Sequence, residues 1–104
     1  MYELSSYQRK YLRGLAHGLK PVVFIGHKGM TDTVSRTINE ALASHELIKI
    51  KFIDFKEKDQ KKKIAHLIEK KTMCNMVGMI GHIGMFFKPH HDPEKRKIKI
   101  PNQK

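Results

Sequence analysis

The stretch "PVVFIGHKGMTDTV", residues 21–34, decides the fold. Residues 21–25 form a short continuous apolar run, which predicts a strand buried on both faces. Gly26 and Gly29 then bracket His27 and Lys28, and Thr31 stands where the next helix needs its N-cap. That helix is predicted over residues 32–45, with Val34, Ile38, Ala41 and Leu42 on its apolar side. A strand, a glycine-bracketed loop and a helix in immediate succession point to an α/β architecture.

Upstream, helical spacing over residues 5–17 sets Leu4, Tyr7, Tyr11, Leu12 and Leu15 against Arg9, Lys10 and Arg13. Ser5 and Gln8 have the spacing of a capping box. Gly18 is expected to supply a left-handed stop, and Pro21 bars continuation. Gly14 costs this helix about 1 kcal/mol against Ala, which a close contact with the sheet would explain.

Downstream, "LIKIKFIDF" alternates Ile48, Ile50 and Phe52 with Lys49 and Lys51, a half-buried strand with one basic side. Residues 54–59 form a charged turn. A third helix is predicted over residues 59–71, with Ile64, Leu67 and Ile68 as its stripe and Lys70 and Lys71 at its C-terminal end. "MCNMVGMIGHIGMFFKP" reads as two strands around a turn at Gly81-His82, ended by Pro89. In the basic tail, residues 90–104, Ile98 and Ile100 alternate with lysines and allow a short edge strand. The order α-β-α-β-α-β-β predicts a compact two-layer α/β sandwich, three helices on a small four-stranded mixed sheet.

With 104 residues, 39% hydrophobic and 30% charged, the chain is expected to be one soluble domain, with a core over about residues 4–89. A single cysteine, Cys74, excludes an internal disulfide framework. "MYELSSYQRK" has no apolar signal region and no stretch is long enough to span a membrane, so the expected location is cytoplasmic. Lys and Arg number 21 against 10 acidic residues, a net charge of +11. So large an excess repels itself in the folded state and calls for an anionic partner: nucleic acid, an anionic membrane or an acidic protein.

The glycine loop is open to two readings, a plain strand-to-helix turn or a phosphate contact. Backbone N–H groups at a helix N-terminus can hold a phosphate, and glycine lets a phosphodiester come close. Lys28 adds charge and His27 a donor or a flat ring, while Asp32 repels phosphate. The spacing matches neither a nucleoside-triphosphate loop nor a dinucleotide fingerprint; it is similar to the G-x-x-G loop of KH domains, which grips single-stranded RNA. Lys10, Arg13, Lys20, Lys49, Lys51, Lys88, Arg96 and Lys97 are candidates for an accompanying basic patch.

Other chemistry has less support. His90, His91 and Asp92 lack metal-ligand spacing, and adjacent histidines in extended chain point apart. Cys74, beside Met73 and Met76, reads as a buried inert thiol, and no histidine has an obvious carboxylate orienter. No enzyme activity, metal, cofactor or small-molecule substrate is expected. Met73, Met76, Met79 and Met85 read as core filling. Of Phe86 and Phe87, adjacent in a strand, one is a candidate for exposure and base stacking.

Read together, "LSSYQRKYLRGLAHGLKPVVFIGHKGMT", "HELIKIK", Cys74-Asn75, Ile80-Gly81 and "FKP" resemble CRM domains (chloroplast RNA splicing and ribosome maturation), in particular stand-alone bacterial YhbY-like members. The pattern is L-S-x-x-Q, then L-x-G-L-A-H-x-L-K-P-V-V, then G-x-x-G-[LM]-T. Two departures stand out. One extra residue lies between Asn75 and Ile80, beside Gly78, which a β-bulge would absorb. Phe87 stands where the family usually has Tyr. The resemblance implies the fold of the C-terminal domain of translation initiation factor three. It also implies binding to ribosomal RNA in large-subunit precursors; a monomer is expected. It implies that the loop of Gly26, His27, Lys28 and Gly29 contacts RNA beside a basic surface; Thr31, Lys20, Lys10, Arg13 and Lys88 are the further candidate contacts. A docking module for protein or ribosome, whose charge only steers encounter, is the alternative. An anionic-membrane binder would need a strongly amphipathic basic helix that the sequence lacks.

Overall fold

In the computed structural model, which describes residues 3–55 and 57–102, the first helix starts on a reciprocal capping box. Gln8 N–H donates to Ser5 Oγ (3.2 Å) and Ser5 N–H to Gln8 Oε1 (3.0 Å), so two otherwise orphan donors are satisfied at once. The elements run α1 (Ser6–Ala16), β1 (Pro21–Ile25), α2 (Asp32–His45), β2 (Leu47–Phe52), α3 (Lys58–Thr72), β3 (Asn75–Ile80), β4 (Ile83–Phe87) and a 3-10 turn, Pro93–Lys95. Both ends of the expected domain (1, 2, 103 and 104) and Lys56 of the charged turn lie outside the described residues.

The four strands pair in the order β1-β2-β4-β3, with β1 parallel to β2 and the other pairs antiparallel. A parallel pair needs a crossover, and α2 supplies it. This is the expected α/β fold of three helices on a four-stranded mixed sheet, and α2 has the expected limits.

The helices divide between the sheet's two faces, so there is one layer more than the two-layer reading held. Ile48, Ile50, Phe52, Val23, Ile25 and Phe86 pack with Ile38 and Leu42 of α2 and Ala65 and Ile68 of α3. On the other face Leu47, Val77, Met85 and Phe87 pack with Leu12 and Ala16 of α1, joined by Leu4, Ile98 and Ile100. Phe86 and Phe87 are therefore both fully buried, one on each face, and neither is the exposed aromatic expected there.

β1 departs from its reading as well. It is an edge strand whose α1-side residues, Val22 and Phe24, lie beyond the helix and stay exposed. A continuous apolar run does not distinguish such a strand from one buried on both faces. Among the described residues the tail forms no strand; Ile98 and Ile100 pack against the second core instead. Gly18 does not adopt a left-handed φ, and a Cβ on Gly14 would meet nothing within 4 Å, so no close approach accounts for either glycine.

Between Met76 and Gly78 the β3–β4 register shifts, the bulge expected from the extra residue. A Cβ on Gly78 would lie 2.6 Å from Arg13 Cδ and 2.9 Å from Met85 Cε, so any side chain there would have to displace both. Arg9 and Arg13 donate to the Met76 and Val77 carbonyls (2.6 and 2.9 Å), and Met76 N–H donates to Glu69 Oε2 (2.9 Å). These bonds satisfy the distorted edge of β3 and blunt it against pairing with another chain.

Glu46 is 2% exposed and ties together the end of α2, the end of β4 and the tail. Its N–H donates to Leu42 O at the end of α2, and its carbonyl accepts from Lys88 N–H after β4. Its carboxylate accepts from three tail N–H groups: His90 (2.7 Å), Lys97 (2.6 Å) and Ile98 (2.9 Å). A buried carboxylate surrounded by backbone donors is a satisfied one, and here it fixes the path of the tail.

Candidate nucleic-acid interface

Gly29 N–H donates to Gly26 O at 2.9 Å, closing a β-turn with His27 and Lys28 exposed at its two central positions. The two glycines do different work. Gly29 has φ +68°, and a Cβ there would lie 3.3 Å from Ile64 Cδ1 of α3, so the fold itself requires glycine. Gly26 has no left-handed φ, and a Cβ on it would meet nothing within 4 Å. The space above Gly26 is what a close-approaching backbone would use.

Thr31 Oγ1 accepts from Val34 N–H (3.2 Å) and caps α2, so the helix N-terminus follows directly on the turn. The remaining N–H groups of the first turn carry the helix's partial positive charge. Asp32 is exposed in this first turn.

Strand register fixes what surrounds the turn. Ile25 pairs with Phe52, and Phe52 N–H donates to His82 O (2.7 Å). The 26–29 loop, residues 53–55 and the Gly81-His82 turn thus share one end of the sheet. Buried Lys61 of α3 donates its Nζ to Gly81 O (2.9 Å) and fastens that turn to the helix. Sequence reading missed Lys61, since a lysine within a run of three gives no sign of which one is buried.

The other candidate residues do not gather at the loop. Lys20 precedes β1 and Lys88 follows β4, at the opposite end of the strands, roughly 15 Å away along a five-residue strand. Lys88 lines a depression with Asn39 of α2, His90 and His91, whereas Lys10 and Arg13 belong to α1 on the other face. Lys10 is exposed; Arg13 has one guanidinium nitrogen on Val77 O. Lys49, a candidate for the patch, donates its Nζ to the carbonyls of His17 (3.3 Å) and Leu19 (2.9 Å) and closes the end of α1.

Phe24, 55% exposed, is the aromatic that sequence reading overlooked. It pairs with exposed Lys51, and both line an open depression with Ile53, Asp54 and His82 beside the loop.

Elsewhere the chemistry is quiet. Cys74 is buried, and desolvation pushes its thiol up to about 11, with Thr72 Oγ1 3.1 Å from the sulfur. The His90 and His91 rings stack with centroids 4.5 Å apart instead of pointing apart, because His90 Nδ1 accepts Asp92 N–H and folds the segment. Met76, Met79 and Met85 pack in the two cores, while Met73 is exposed at the end of α3. Among the described residues no three His, Cys, Asp or Glu side chains are grouped to hold a metal, and no helix is long and apolar enough to cross a membrane.

Comparison with known proteins agrees with this architecture. An RNA-binding protein of Haemophilus influenzae is 39% identical over 99% of this chain and all of its own length. "Probable RNA-binding protein YqeI" of Bacillus subtilis is 32% identical over 94% of this chain and 99% of its own. The solution structure of protein SAV1595 from Staphylococcus aureus superposes with a TM-score of 0.81 at 28% identity, covering 95% of this chain and 100% of that one. The CRS1 / YhbY (CRM) domain matches residues 4–88, and the chain belongs to that family.

Proposed function

We propose that this protein is a non-enzymatic RNA-binding protein whose 26–29 loop holds the RNA backbone. The observation that carries the reading is Gly26, a glycine the fold does not require. It opens a turn that presents His27 and Lys28 in front of the α2 N-terminus. Backbone N–H groups there would meet phosphate oxygens, Lys28 would add charge, and His27 would adapt to the neighbouring nucleotide. Relatives named as RNA-binding proteins over nearly their whole length support the same ligand class. Lys10 on α1 would extend the contact along one face, and Lys20, Arg13 and Lys88 would contribute to the long-range field.

The RNA we propose is ribosomal, in precursors of the large subunit, as the family resemblance implies; the protein would act there as a cytoplasmic monomer. Crosslinking in cells with sequencing of the attached RNA tests this, and enrichment of large-subunit ribosomal RNA is expected. Recovery of messenger or transfer RNA alone would overturn the ribosomal role.

A docking module whose charge only steers encounter is separated by salt dependence on isolated RNA. For single strands log affinity falls against log salt by about 0.7 per phosphate contact, so five to seven contacts give a slope of roughly −4. A slope near zero favours docking.

A further inference from the structure

We infer that the uncovered half of the α1-side sheet face is a stacking platform for an unpaired RNA base, centred on Phe24. This inference rests on the RNA-binding reading of the neighbouring loop and adds to it the preference for single strands.

Register places the platform. Phe24 pairs with Lys51, Lys51 with Ile83, and Ile83 with Ile80, so one row crosses all four strands on a single face. It is the same face that, further along the strands, carries Leu47, Val77, Met85 and Phe87 beneath α1 and the tail. The cover stops short of the row: Phe24 is 55% and Ile80 73% exposed, and Lys51 is exposed too. Phe24 is two residues from Gly26, so one nucleotide held at the loop has a neighbour within reach of the ring.

The depression combines apolar and polar lining, which suits a base with its linking phosphate. Its volume is about 460 Å³, and Phe24, Ile53 and Phe55 line it together with Lys51, Asp54 and His82. The Phe24 ring offers a π-face to any base. Lys51 is the charge for the linking phosphate. Asp54, whose φ of +68° turns the chain after β2, repels a phosphate but accepts hydrogen bonds from a base amino group, as on cytosine, adenine or guanine. An aromatic ring, a lysine and a carboxylate within one open site match a nucleotide piece by piece.

The test uses short single-stranded RNA carrying 2-aminopurine at one position, beside a duplex of the same length. Wild-type protein is expected to bind the single strand more tightly and to change the fluorescence of the stacked base. Phe24→Ala and Phe24→Leu should each weaken single-strand binding roughly tenfold and remove the fluorescence change. Both should leave duplex affinity and thermal stability unaltered. Phe24→Tyr should restore both signals. Single-strand affinity and fluorescence indifferent to Phe24, in protein that still binds RNA, would overturn the platform and leave the loop assignment standing. Equal or tighter duplex binding by the wild type would overturn it too. Absence of any RNA binding would remove both readings together.

Discussion

Two parts of one sheet face have opposite chemistry. Beneath α1 and the tail, Leu47, Val77, Met85 and Phe87 are buried. Around them Arg9, Arg13 and Lys49 spend nitrogens on backbone carbonyls, and Glu46 spends its carboxylate on three N–H groups. Toward the loop end the face is bare: Phe24, Lys51 and Ile80 meet solvent, beside the exposed His27 and Lys28. The contrast shows that a charge count alone does not locate an interface. Several of the cations behind the net charge of +11 are fasteners of the fold. At the loop end Phe24, His27, Lys28 and Lys51 have exposed side chains instead.

The largest effect is expected from breaking the covered half. Glu46→Ala strands three N–H groups and should cost about 3–5 kcal/mol in urea unfolding, with the tail gaining protease sensitivity. Glu46→Gln keeps one oxygen for the Lys97 and Ile98 donors and should cost less. RNA affinity of the folded fraction should not change in either variant if the halves are independent.

Cys74 probes the core on the other face. Its thiol, held near 11 by burial, ionises near 9.0 when the chain unfolds. The folded state therefore retains a proton that the unfolded state loses. This contribution is fully present below pH 9 and falls by about 1.4 kcal/mol per pH unit between pH 9 and 11. Cys74→Ala should flatten that part of the stability profile, and alkylation of native Cys74 should track unfolding.

The smallest stability effects come from the loop, where the two glycines should separate. Gly29→Ala forces a left-handed φ on alanine against Ile64 and should cost about 1–2 kcal/mol. Gly26→Ala should stay within about 0.5 kcal/mol of wild type yet weaken RNA binding. Equal thermal losses in the two variants would erase the distinction between them.

Much of the fold was legible. The caps of α1 and α2 and the limits of α2 follow from side-chain chemistry within a few residues, and the bulge at Met76–Gly78 from one residue of excess spacing. What was not legible depends on partners far along the chain. Nothing local to Glu46 signals its burial, because its donors lie 44 to 52 residues later. The exposure of Phe24 follows from where α1 stops, which no local pattern encodes. Likewise the candidate residues 26–31 are contiguous in sequence and stay together, whereas Lys20 and Lys88 are carried to the far end by strand direction.

RNA binding by the His27→Asp/Lys28→Asp double variant tests the central claim most directly, measured beside its thermal unfolding. Both side chains are exposed at the tip of the turn, so the melting temperature should match wild type. Two aspartates facing a phosphate backbone should abolish measurable binding at moderate salt. Unaltered RNA affinity in that well-folded variant would contradict the assignment of the loop.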